Sequence, residues 1–491
     1  MLNARMQFSV LHISDLHRDL NDEVNNTWLL DSIEKDIGNY QTQDPPILLP
    51  SICVVSGDLV YGVSSSNPNS SDEIKRQYGQ AEEFIVGLAD RFFDGNRENV
   101  VILPGNHDVC YPEVMASARR VDASATGEDK KQLVGEYFRP NSKLRWSWEE
   151  LCFFRIFDED RYKHRLNEFS LMYERFYQGR RKFSSMPQEQ HAIHDFPHLG
   201  FCIAALNSCF NNDPLRRAGA FNPTALAESC RALRSPHRFG WVAAASWHHN
   251  LVGGPTMDDY LDSEFIQLLI DAGVSVGFHG HQHSAECFDE RYKLGSHPRK
   301  ITVISAGTLC AEPRALKAGS PRSYNVVEFD LSAWAGRVHQ RQMVNGLFSL
   351  PVWGPGHFIS SNRSFFDFEL CKPIQARPTH LDVQLILERA SSLLEAQRYA
   401  DAVDVLQGVK QSPLSRPLLL KALTELRQPR RIIESLWPPL SSIEAVHLGA
   451  AILEGGTREE AVAFGKLDIV TGSGDASVRD MATRVSERRA K

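Results

Sequence analysis

Eight short apolar runs, rich in Val, Ile and Phe and ending in polar residues, constrain the fold of this chain most strongly. Continuous apolar runs of this length are typical of strands that are buried on both faces of a sheet. Helical patterns over residues 73–94, 223–234 and 261–272 lie between some of the runs. Strands that alternate with helices predict an α/β domain. The runs cover residues 8–15, 51–58, 99–108, 199–208, 241–249, 274–283, 300–308 and 324–331.

Two parts of the sequence depart from this alternation. Residues 109–198 separate the third run from the fourth, and their central part, 143–183, is aromatic, charged and helix-like, which predicts a helical insert or cap. We expect the first domain to span residues 1–345 and a linker to follow over 346–378. Residues 379–491 carry only helical patterns and predict an all-helical domain.

The helical domain contains a weak repeat, in which a helix, a short polar break and a second apolar-periodic helix recur about every thirty residues. Tetratricopeptide-type helical hairpins fit this pattern, and so does a plain helical bundle. In either arrangement, the helices offer a surface for a protein partner or for self-association.

Composition narrows the class of protein. With 491 residues, the chain is long enough for two or more domains, and a net charge of −7 argues against a protein that coats nucleic acid by bulk charge. Nine cysteines without a CxxC pair predict reduced thiols rather than a disulfide framework. The sequence shows neither a secretory leader nor a membrane-spanning apolar run, so we expect a cytoplasmic protein that does not contact membranes.

Polar motifs follow five of the predicted strands. In α/β proteins, ligands bind where the carboxyl ends of strands converge. A single motif of this kind occurs by chance in many proteins, whereas five in this order are a strong signal. The motifs are Asp15-Leu16-His17, Gly57-Asp58, Gly105-Asn106-His107-Asp108, His248-His249 and Gly280-His281-Gln282-His283.

The ordered set resembles the calcineurin-like metallophosphoesterase superfamily, whose pattern is DxH…GD…GNH[DE]…H…GHxH. The resemblance covers roughly residues 7–335, without the insert and without the helical C-terminal part. It implies an α/β fold of two packed mixed β-sheets flanked by helices, with two divalent metal ions at the strand ends. It also implies hydrolysis of a phosphoric ester by a hydroxide that bridges the two ions.

The resemblance assigns roles to individual residues. The implied ligands are Asp15, His17, Asp58 and His283 for the first metal, and Asp58, Asn106, His248 and His281 for the second. Asp58 would bridge both ions, because a carboxylate offers two oxygens. His107 matches the non-ligand histidine that assists the leaving oxygen, and Asp108 matches the neighbour that orients this part of the site.

Two further histidines, His249 and His279, and Asn207 need separate assignment. The family usually has His-His-Pro where this chain has His248, His249 and Asn250, so His248 is taken as the ligand and His249 as a residue near the substrate. Asn207 is a candidate for substrate binding or for a structural hydrogen bond. His279 lies outside the matched pattern, and we expect it to have a supporting or packing role.

The donor types restrict the metal. Mixed His, Asp and Asn ligands without cysteine suit Mn²⁺, Fe, Zn, Co or Ni better than Ca²⁺, and Mn²⁺ is the first expectation.

Departures from subfamily patterns restrict the substrate. Phosphoprotein phosphatases resemble GDxxDRG, whereas this chain reads GDLVYG and lacks the arginine that binds a phosphomonoester, with Tyr61 and Gly62 in its place. The motifs are more similar to the phosphodiesterase branches, which predicts a phosphodiester substrate, DNA or RNA first and nucleotides or cyclic nucleotides next. A phosphomonoesterase is an alternative, and so is a non-catalytic scaffold that acts through its helical repeats.

The insert is the main sequence clue to specificity. Its aromatic and basic residues are interleaved, for example around Arg145, Trp146, Trp148 and Phe153, and this pattern could contact nucleic acid. Acidic residues such as Glu149 and Glu150 dilute the positive charge, so an amphipathic lid explains the same pattern.

Overall fold

The computed structural model describes residues 7–19, 25–64, 67–121, 129–137, 142–147, 150–252, 259–292, 299–316, 319–345, 348–358, 363–371, 380–406 and 414–490. The chain divides into two compact units, Met1–Pro373 and Ile374–Lys491. Within the described ranges, every helix is too short or too polar to cross a membrane.

The first unit combines strands and helices along the whole of its length. Its described strands are β1 (Gln7–Ile13), β2 (Pro50–Val55), β3 (Val100–Ile102), β4 (Ala118–Arg120), β5 (Leu144–Ser147), β6 (Cys152–Ile156), β7 (His191–Phe196), β8 (Phe201–Leu206), β9 (Val242–Ser246), β10 (Val274–His279), β11 (Glu286–Tyr292), β12 (Arg299–Ser305), β13 (Ser323–Asp330), β14 (Ala335–Met343), β15 (Trp353–Pro355) and β16 (Phe365–Glu369). Its described helices are α1 (Asn26–Ile37), α2 (Ser70–Phe92), α3 (Tyr111–Ser117), α4 (Lys130–Tyr137), α5 (Glu159–Lys163), α6 (Asn167–Phe176), α7 (Pro223–Leu233) and α8 (Ser263–Asp271). All eight predicted apolar runs contain a strand, and the three predicted helices are present as α2, α7 and α8.

The strands form two large mixed sheets. The first has the order β15-β14-β13-β1-β2-β3, with β16 also paired to β14. Strands β1, β2 and β3 are parallel, and β13 is antiparallel to β1. The second sheet has the order β11-β12-β10-β9-β8-β7, with parallel central strands and antiparallel strands at both edges. These two sheets confirm the predicted fold class.

The sheets pack face to face, which explains why the strands are apolar on both faces. In β1, Phe8 and Val10 are buried between the sheets, in a cluster that includes Phe201 of the second sheet. The alternate residues Leu11 and Ile13 are buried on the other face, in the cluster that contains residues of α1 and α2. Each central strand therefore contacts one core on each side, and its few polar residues, such as Ser9 and His12 of β1, are buried as well.

The helices begin where the sequence provides caps. Asn222 accepts hydrogen bonds from the backbone N–H groups of Thr224 and Ala225 and starts α7, with Pro223 at the first helical position. Asp262 accepts from the N–H of Glu264 and starts α8 in the same way.

The prediction of a helical insert is wrong for part of its length. Residues 144–147 and 152–156, predicted to be helix-like, instead form the antiparallel pair β5 and β6, and β4 completes a small three-stranded sheet. Cross-strand aromatic packing explains this, since the rings of Trp146 and Phe153 lie 4.8 Å apart. Trp148 and Glu149 lie outside the described residues. The insert also ends before residue 191, because β7 is an edge strand of the second sheet.

The predicted linker contains two strands of the first sheet. Strands β15 and β16 lie within 346–378 and both pair with β14. Trp353 and Phe368 are buried there, so apolar contacts hold these strands on the sheet. The first sheet therefore extends to Glu369, beyond the predicted domain end at residue 345.

The second unit is all-helical where it is described. Its helices are α9 (His380–Glu395), α10 (Tyr399–Leu406), α11 (Arg416–Glu425), α12 (Pro429–Leu436), α13 (Ser442–Gly455), α14 (Arg458–Phe464), α15 (Asp468–Thr471) and α16 (Ala476–Ala490). Leu423, Leu448 and Phe464 belong to an apolar core of its own. The breaks after α9, α11 and α13 begin after residues 395, 425 and 455, a spacing of thirty residues like that of the weak repeat, and the tetratricopeptide assignment stays a prediction.

Candidate metal centre

The carboxyl ends of strands from both sheets meet at one place. The N–H of Asp15, after β1, donates to the carbonyl of Gly57, after β2, at 3.1 Å. The N–H of His281, after β10 of the second sheet, donates to Oδ2 of Asp15 at 3.1 Å. The motifs that are far apart in the sequence are therefore neighbours in the fold.

Asp15, His17 and His283 form a first group of potential ligands, with one donor atom from each residue within 4.8 Å of the others. Nε2 of His283 lies 3.0 Å from Nε2 of His17 and 3.2 Å from Oδ1 of Asp15. Nδ1 of His283 donates to the carbonyl of Ala315 at 2.8 Å. Because a carbonyl oxygen only accepts, the proton of the neutral ring lies on Nδ1 and the lone pair of Nε2 faces the group.

Asp58, His248 and His281 form a second group on the same distance criterion. Nδ1 of His248 donates to the carbonyl of Ser56 at 2.8 Å, which leaves Nε2 3.2 Å from Oδ2 of Asp58. The amide oxygen of Asn106 lies 3.0 Å from Nε2 of His248 and 2.8 Å from Nδ1 of His281. Oδ2 of Asp58 is also 3.8 Å from Nε2 of His17, so Asp58 faces both groups.

A buried polar atom in the first group supports a cation at this place. Oδ1 of Asp15 is buried without a hydrogen-bond partner among the described residues, and it lies 3.2 Å from Nε2 of His283. A buried polar atom without a partner is costly unless something else satisfies it. Imidazole nitrogens and carboxylate oxygens are ligands for divalent transition metals, so the donor set fits two such ions.

The backbone under these residues is unusual. Five of the candidate ligands have positive φ angles: Asp15 (53°), His17 (42°), Asp58 (52°), His281 (72°) and His283 (53°). Non-glycine residues rarely adopt this left-handed conformation, which costs roughly 1–3 kcal/mol and persists where the surroundings impose it. The loops are thus held in a shape that points these side chains at one another.

Two glycines allow the loops to approach the carboxylates. A Cβ atom on Gly105 would lie 2.2 Å from Oδ1 of Asp58. A Cβ atom on Gly280 would lie 1.8 Å from Oγ of Ser14 and 2.4 Å from Oδ2 of Asp15. Gly105 and Gly280 of the sequence motifs are therefore required by close packing against a neighbouring strand end.

The charges of the site compensate one another. Burial disfavours the charged form of His248, but the carboxylates of Asp58 and Asp15 outweigh burial and raise its pKa to about 9. Burial likewise opposes the charged form of His283, and Asp15 raises its pKa to about 9. Burial opposes ionisation of Asp58, but the positive charges of His248 and His107 hold the pKa of its carboxyl well below the ordinary value. Divalent cations would replace the protons that these histidines otherwise take up.

His107 lies at the edge of the two groups. Its backbone N–H donates to Oδ1 of Asp58 at 2.8 Å, and its ring lies 4.6 Å from that of His17. Its Nδ1 donates to the carbonyl of Tyr61 at 2.6 Å, which leaves Nε2 for another partner.

Asp108 is buried beneath the loop that carries Asn106 and His107. Its Oδ2 accepts from the N–H groups of Gly105 and Leu59 at 2.8 and 3.2 Å, and Oδ1 accepts from the Tyr78 hydroxyl at 3.0 Å. Burial, followed by the charge of Asp58, raises its pKa to about 7. Asp108 therefore positions the loop, because its carboxylate binds backbone N–H groups of Gly105 and Leu59.

The remaining candidates lie around the groups. Nδ1 of His249 forms a hydrogen bond with Oγ of Ser208 at 2.8 Å, and the ring of His249 lies 4.9 Å from that of His281. Asn207 binds Gln190 and the N–H of Cys209, each at 2.8 Å, so both ends of its amide have structural partners. His279 is buried, and its ring stacks on Trp247 at 6.1 Å.

The second group adjoins a cleft of about 510 Å³, which is lined in part by His281. Asn106, His107 and Tyr61 also line the cleft, and Tyr61 has 44% of its surface exposed. Asp259 and Arg217 also line the cleft, and sequence analysis missed both. Oδ2 of Asp259 lies 3.5 Å from Nε2 of His281. Both residues lie in loops without a motif, so only the fold brings them to the site.

Comparison with known proteins supports the same region. A family model for calcineurin-like phosphoesterases matches residues 8–285, which include every candidate ligand described above. No curated protein sequence matches the chain. Among solved structures, the chain is similar to a dimetal phosphatase from Danio rerio, with 13% identity, a TM-score of 0.35, and coverage of 68% of this chain and 96% of that chain. It is also similar to a predicted phosphoesterase from Streptococcus pneumoniae, with 10% identity, a TM-score of 0.25, and coverage of 74% and 99%.

Proposed function

The chain belongs to the calcineurin-like phosphoesterase family, and from this membership we propose that it is a dinuclear-metal phosphodiesterase that acts on nucleic acid or nucleotides. The observation that carries the proposal is the position of Asp58, whose carboxylate faces both groups of ligands while His107 lies beside it. A carboxylate in this position would be able to bind both of two divalent cations.

The first cation would be held by Asp15, His17, Asp58 and His283, and the second by Asp58, Asn106, His248 and His281. When bound, the two cations neutralise charge on the phosphoryl oxygens and activate the attacking water. We propose Mn²⁺ as the physiological ion, on the basis of the donor types.

His107 is proposed to protonate the leaving oxygen. Hydrolysis adds water at phosphorus and breaks the P–O bond to the leaving group, whose oxygen then takes up a proton. Because Nδ1 of His107 donates to the Tyr61 carbonyl, the mobile proton is held on Nε2. Asp108 acts through the loop, since its carboxylate binds the backbone of Gly105 and Leu59.

A diester is favoured over a monoester by the residue at position 62. In phosphoprotein phosphatases the corresponding motif supplies an arginine, which binds the additional charge of a monoester. Here Gly62 lines the cleft with a φ of 89°, and its N–H is bound by Gln77 at 3.0 Å. The position therefore has neither the side chain nor the backbone conformation for that arginine.

Nucleic acid is the first substrate class that we propose. The cleft volume of about 510 Å³ suits a nucleotide, and the exposed ring of Tyr61 beside His107 offers a face on which a base can stack. We further propose that the helical unit binds a protein partner or a second copy of the chain.

The proposal is tested by hydrolysis of five substrates with Mn²⁺ and with EDTA: bis-p-nitrophenyl phosphate, p-nitrophenyl phosphate, cyclic AMP, single-stranded DNA and double-stranded DNA. We expect diester hydrolysis that EDTA abolishes. Asp58→Asn should lose both bound metal and activity, whereas His107→Ala should keep the metal and lower kcat on DNA by about 10²–10⁴-fold. His198→Ala, at an exposed histidine of the first unit, is the matched control.

The leaving group separates the role of His107 from general damage. p-Nitrophenolate leaves without a proton, so His107→Ala should cost much less on bis-p-nitrophenyl phosphate than on DNA. Activity that survives EDTA and Asp58→Asn would refute the two-metal mechanism. Activity on p-nitrophenyl phosphate with none on diesters would refute the phosphodiesterase assignment.

A further inference from the structure

One wall of the cleft is a tight turn that is built around Asp213. Oδ1 of Asp213 accepts from the N–H groups of Leu215 and Arg216 at 2.9 and 3.1 Å. The backbones of Asp213 and Arg216 also exchange hydrogen bonds at 2.8 and 2.9 Å. Nδ2 of Asn212 donates to the carbonyl of Arg217 at 2.6 Å, so the turn fixes the backbone of Arg217.

The insert holds this turn from behind. Oδ2 of Asp213 accepts from Nε of Arg145 at 2.6 Å and from the hydroxyl of Tyr162 at 2.7 Å. The Tyr162 hydroxyl in turn accepts from Arg145 at 3.0 Å. Arg145 and Asp213 are each only 2% exposed. A buried, charge-assisted network of this kind is geometrically specific, and it ties the small sheet of the insert to the cleft wall.

Arg165 adds a second connection between the insert and the same loop. Its guanidinium donates to the carbonyls of Cys209 and Phe210 at 3.1 and 2.7 Å. The insert is therefore packed against the loop that leads to Arg217, and its basic residues at these positions serve the fold of the cleft.

The turn around Asp213 places Arg217 at the cleft. Among the described residues that line the cleft, it is the one Lys or Arg, and it is exposed. Asp213 is bound by Arg145, so its charge is compensated within the wall. Asp259 lines the same cleft as Arg217, and its Oδ2 lies 3.5 Å from Nε2 of His281.

We infer that Arg217 binds a second anionic group of the substrate, next to the scissile phosphodiester, and that the network of Arg145, Asp213 and Tyr162 positions it. The inference deepens the proposed function and rests on it. The scissile phosphate would lie against the metal groups, so a guanidinium elsewhere in the cleft is suited to a neighbouring phosphate. A binding site for a second phosphate favours polynucleotides and phosphorylated dinucleotides as substrates, because a cyclic nucleotide carries one phosphate only.

Dinucleotides that differ by one phosphate test the inference. TpT has only the scissile phosphate, whereas pTpT and TpTp carry a second phosphate on one side or the other. For Arg217→Gln we expect KM to rise about tenfold for at least one of the two phosphorylated forms, the size expected for one lost hydrogen bond between charged groups. The kcat values, and KM for TpT and for bis-p-nitrophenyl phosphate, should stay within about twofold of the native values.

Two further variants separate positioning from general damage. Tyr162→Phe removes the hydroxyl that binds Asp213 but keeps the ion pair of Arg145 and Asp213, so it should raise the same KM by only about threefold at unchanged kcat. Arg231→Gln alters an exposed arginine of α7, outside the cleft, and should change nothing. A change in kcat together with a loss of thermal stability in Tyr162→Phe would indicate a merely structural role and refute the positioning step.

Measuring the binding of reaction products tests the role of Arg217 without requiring turnover. Calorimetry compares thymidine 3′,5′-bisphosphate with thymidine 5′-monophosphate on the native protein, Arg217→Gln and Arg231→Gln. If no dinucleotide is hydrolysed but Arg217→Gln alone weakens bisphosphate binding, the proposed function fails and the inference stands. If dinucleotides are hydrolysed and neither KM nor bisphosphate affinity responds to Arg217→Gln, the inference fails and the proposed function stands.

Discussion

His279, His281 and His283 alternate in the sequence but do not have equivalent surroundings. Nδ1 of His279 lies 3.0 Å from the carbonyl of Gly280, and its ring stacks on Trp247. His281 and His283 belong to different groups of potential ligands. The strand ends at His279, and the left-handed backbone at the next two histidines turns their side chains towards different partners.

This difference predicts unequal effects of substitution. His281→Gln and His283→Gln should each lower metal content and diester hydrolysis by more than about 100-fold, since substituting residues that merely support ligands already costs about 10–100-fold. His279→Gln should cost less than about tenfold. Elemental analysis of the purified variants and hydrolysis of bis-p-nitrophenyl phosphate check this prediction. Equal losses for all three would contradict it.

Sequence reasoning at this scale found residues that lie in motifs and missed residues that lie outside them. The spacing of Asp15, Asp58 and His283 pointed to one site because each follows a strand. Nothing in the sequence placed Asp259 near His281, since their proximity depends on the path of a loop. The side-chain partners of Asp108 and Asn207 likewise depend on tertiary contacts that no pattern encodes.

At the scale of elements, the turns after β1 and β10 must approach each other closely. Gly280→Ala should lower metal content and hydrolysis by more than tenfold, because its Cβ would overlap Ser14 and Asp15. Gly79→Ala in α2 is the control, since its Cβ would meet no atom within 4 Å. It should leave activity unchanged and stabilise the helix by about 0.5–1 kcal/mol. Metal content and thermal unfolding of both variants test the prediction, which fails if Gly280→Ala retains its metal.

His194, in strand β7, makes the stability of the fold depend on pH. Both ring nitrogens of His194 are buried without a hydrogen-bond partner among the described residues, and burial, aided by Arg181, holds its pKa well below the ordinary 6.5. Below pH 6.5 the unfolded chain binds a proton that the folded chain does not, so stability falls as pH decreases. The loss approaches about 1.4 kcal/mol per pH unit.

His194→Phe removes this contribution. The Tm of the variant relative to the native protein should therefore be higher at pH 5.5 than at pH 7.5, as measured by calorimetry. His198→Gln, at an exposed histidine, should show the same difference at both pH values. A pH-independent difference for His194→Phe would contradict the prediction.

The elements that sequence analysis predicted correctly are those buried on both faces. Their apolar runs are continuous, so the sequence alone is enough to identify them. Strands β5, β6 and β16 were missed because each has exposed or half-exposed positions and a mixed aromatic and charged sequence. For such segments, pairing with a neighbour decides the conformation, and the sequence of one strand does not identify its partner.

At the scale of the whole molecule, the chain consists of two units, each with an apolar core of its own. All candidate ligands and the cleft lie in the first unit. A fragment of residues 1–373 should therefore hydrolyse bis-p-nitrophenyl phosphate with a kcat within about twofold of the full chain, since neither its core nor its ligands are removed.

A substitution in the intact chain provides a second test of this independence. Arg416 forms a buried ion pair with Glu444 at 2.7 Å and also donates to the carbonyls of Leu436 and Pro438. Arg416→Met leaves Glu444 buried and unpaired, which should destabilise the second unit by about 3–5 kcal/mol. Calorimetry should show a lower transition for that unit with hydrolysis unchanged. A parallel loss of hydrolysis would show that the two units depend on each other.

The neighbouring positions of His17 and His283 have a consequence for how the protein is made. Their Nε2 atoms are 3.0 Å apart in the fold, although the residues are 266 positions apart in the chain. At the usual rate of about 5–20 residues per second, a ribosome needs roughly 13–53 s to cover that distance. During this interval the nascent chain exposes Asp15 and His17 without the residues that complete the first group. A cation held by the first group would therefore bind late in translation or afterwards, when strands from both halves of the first unit have met.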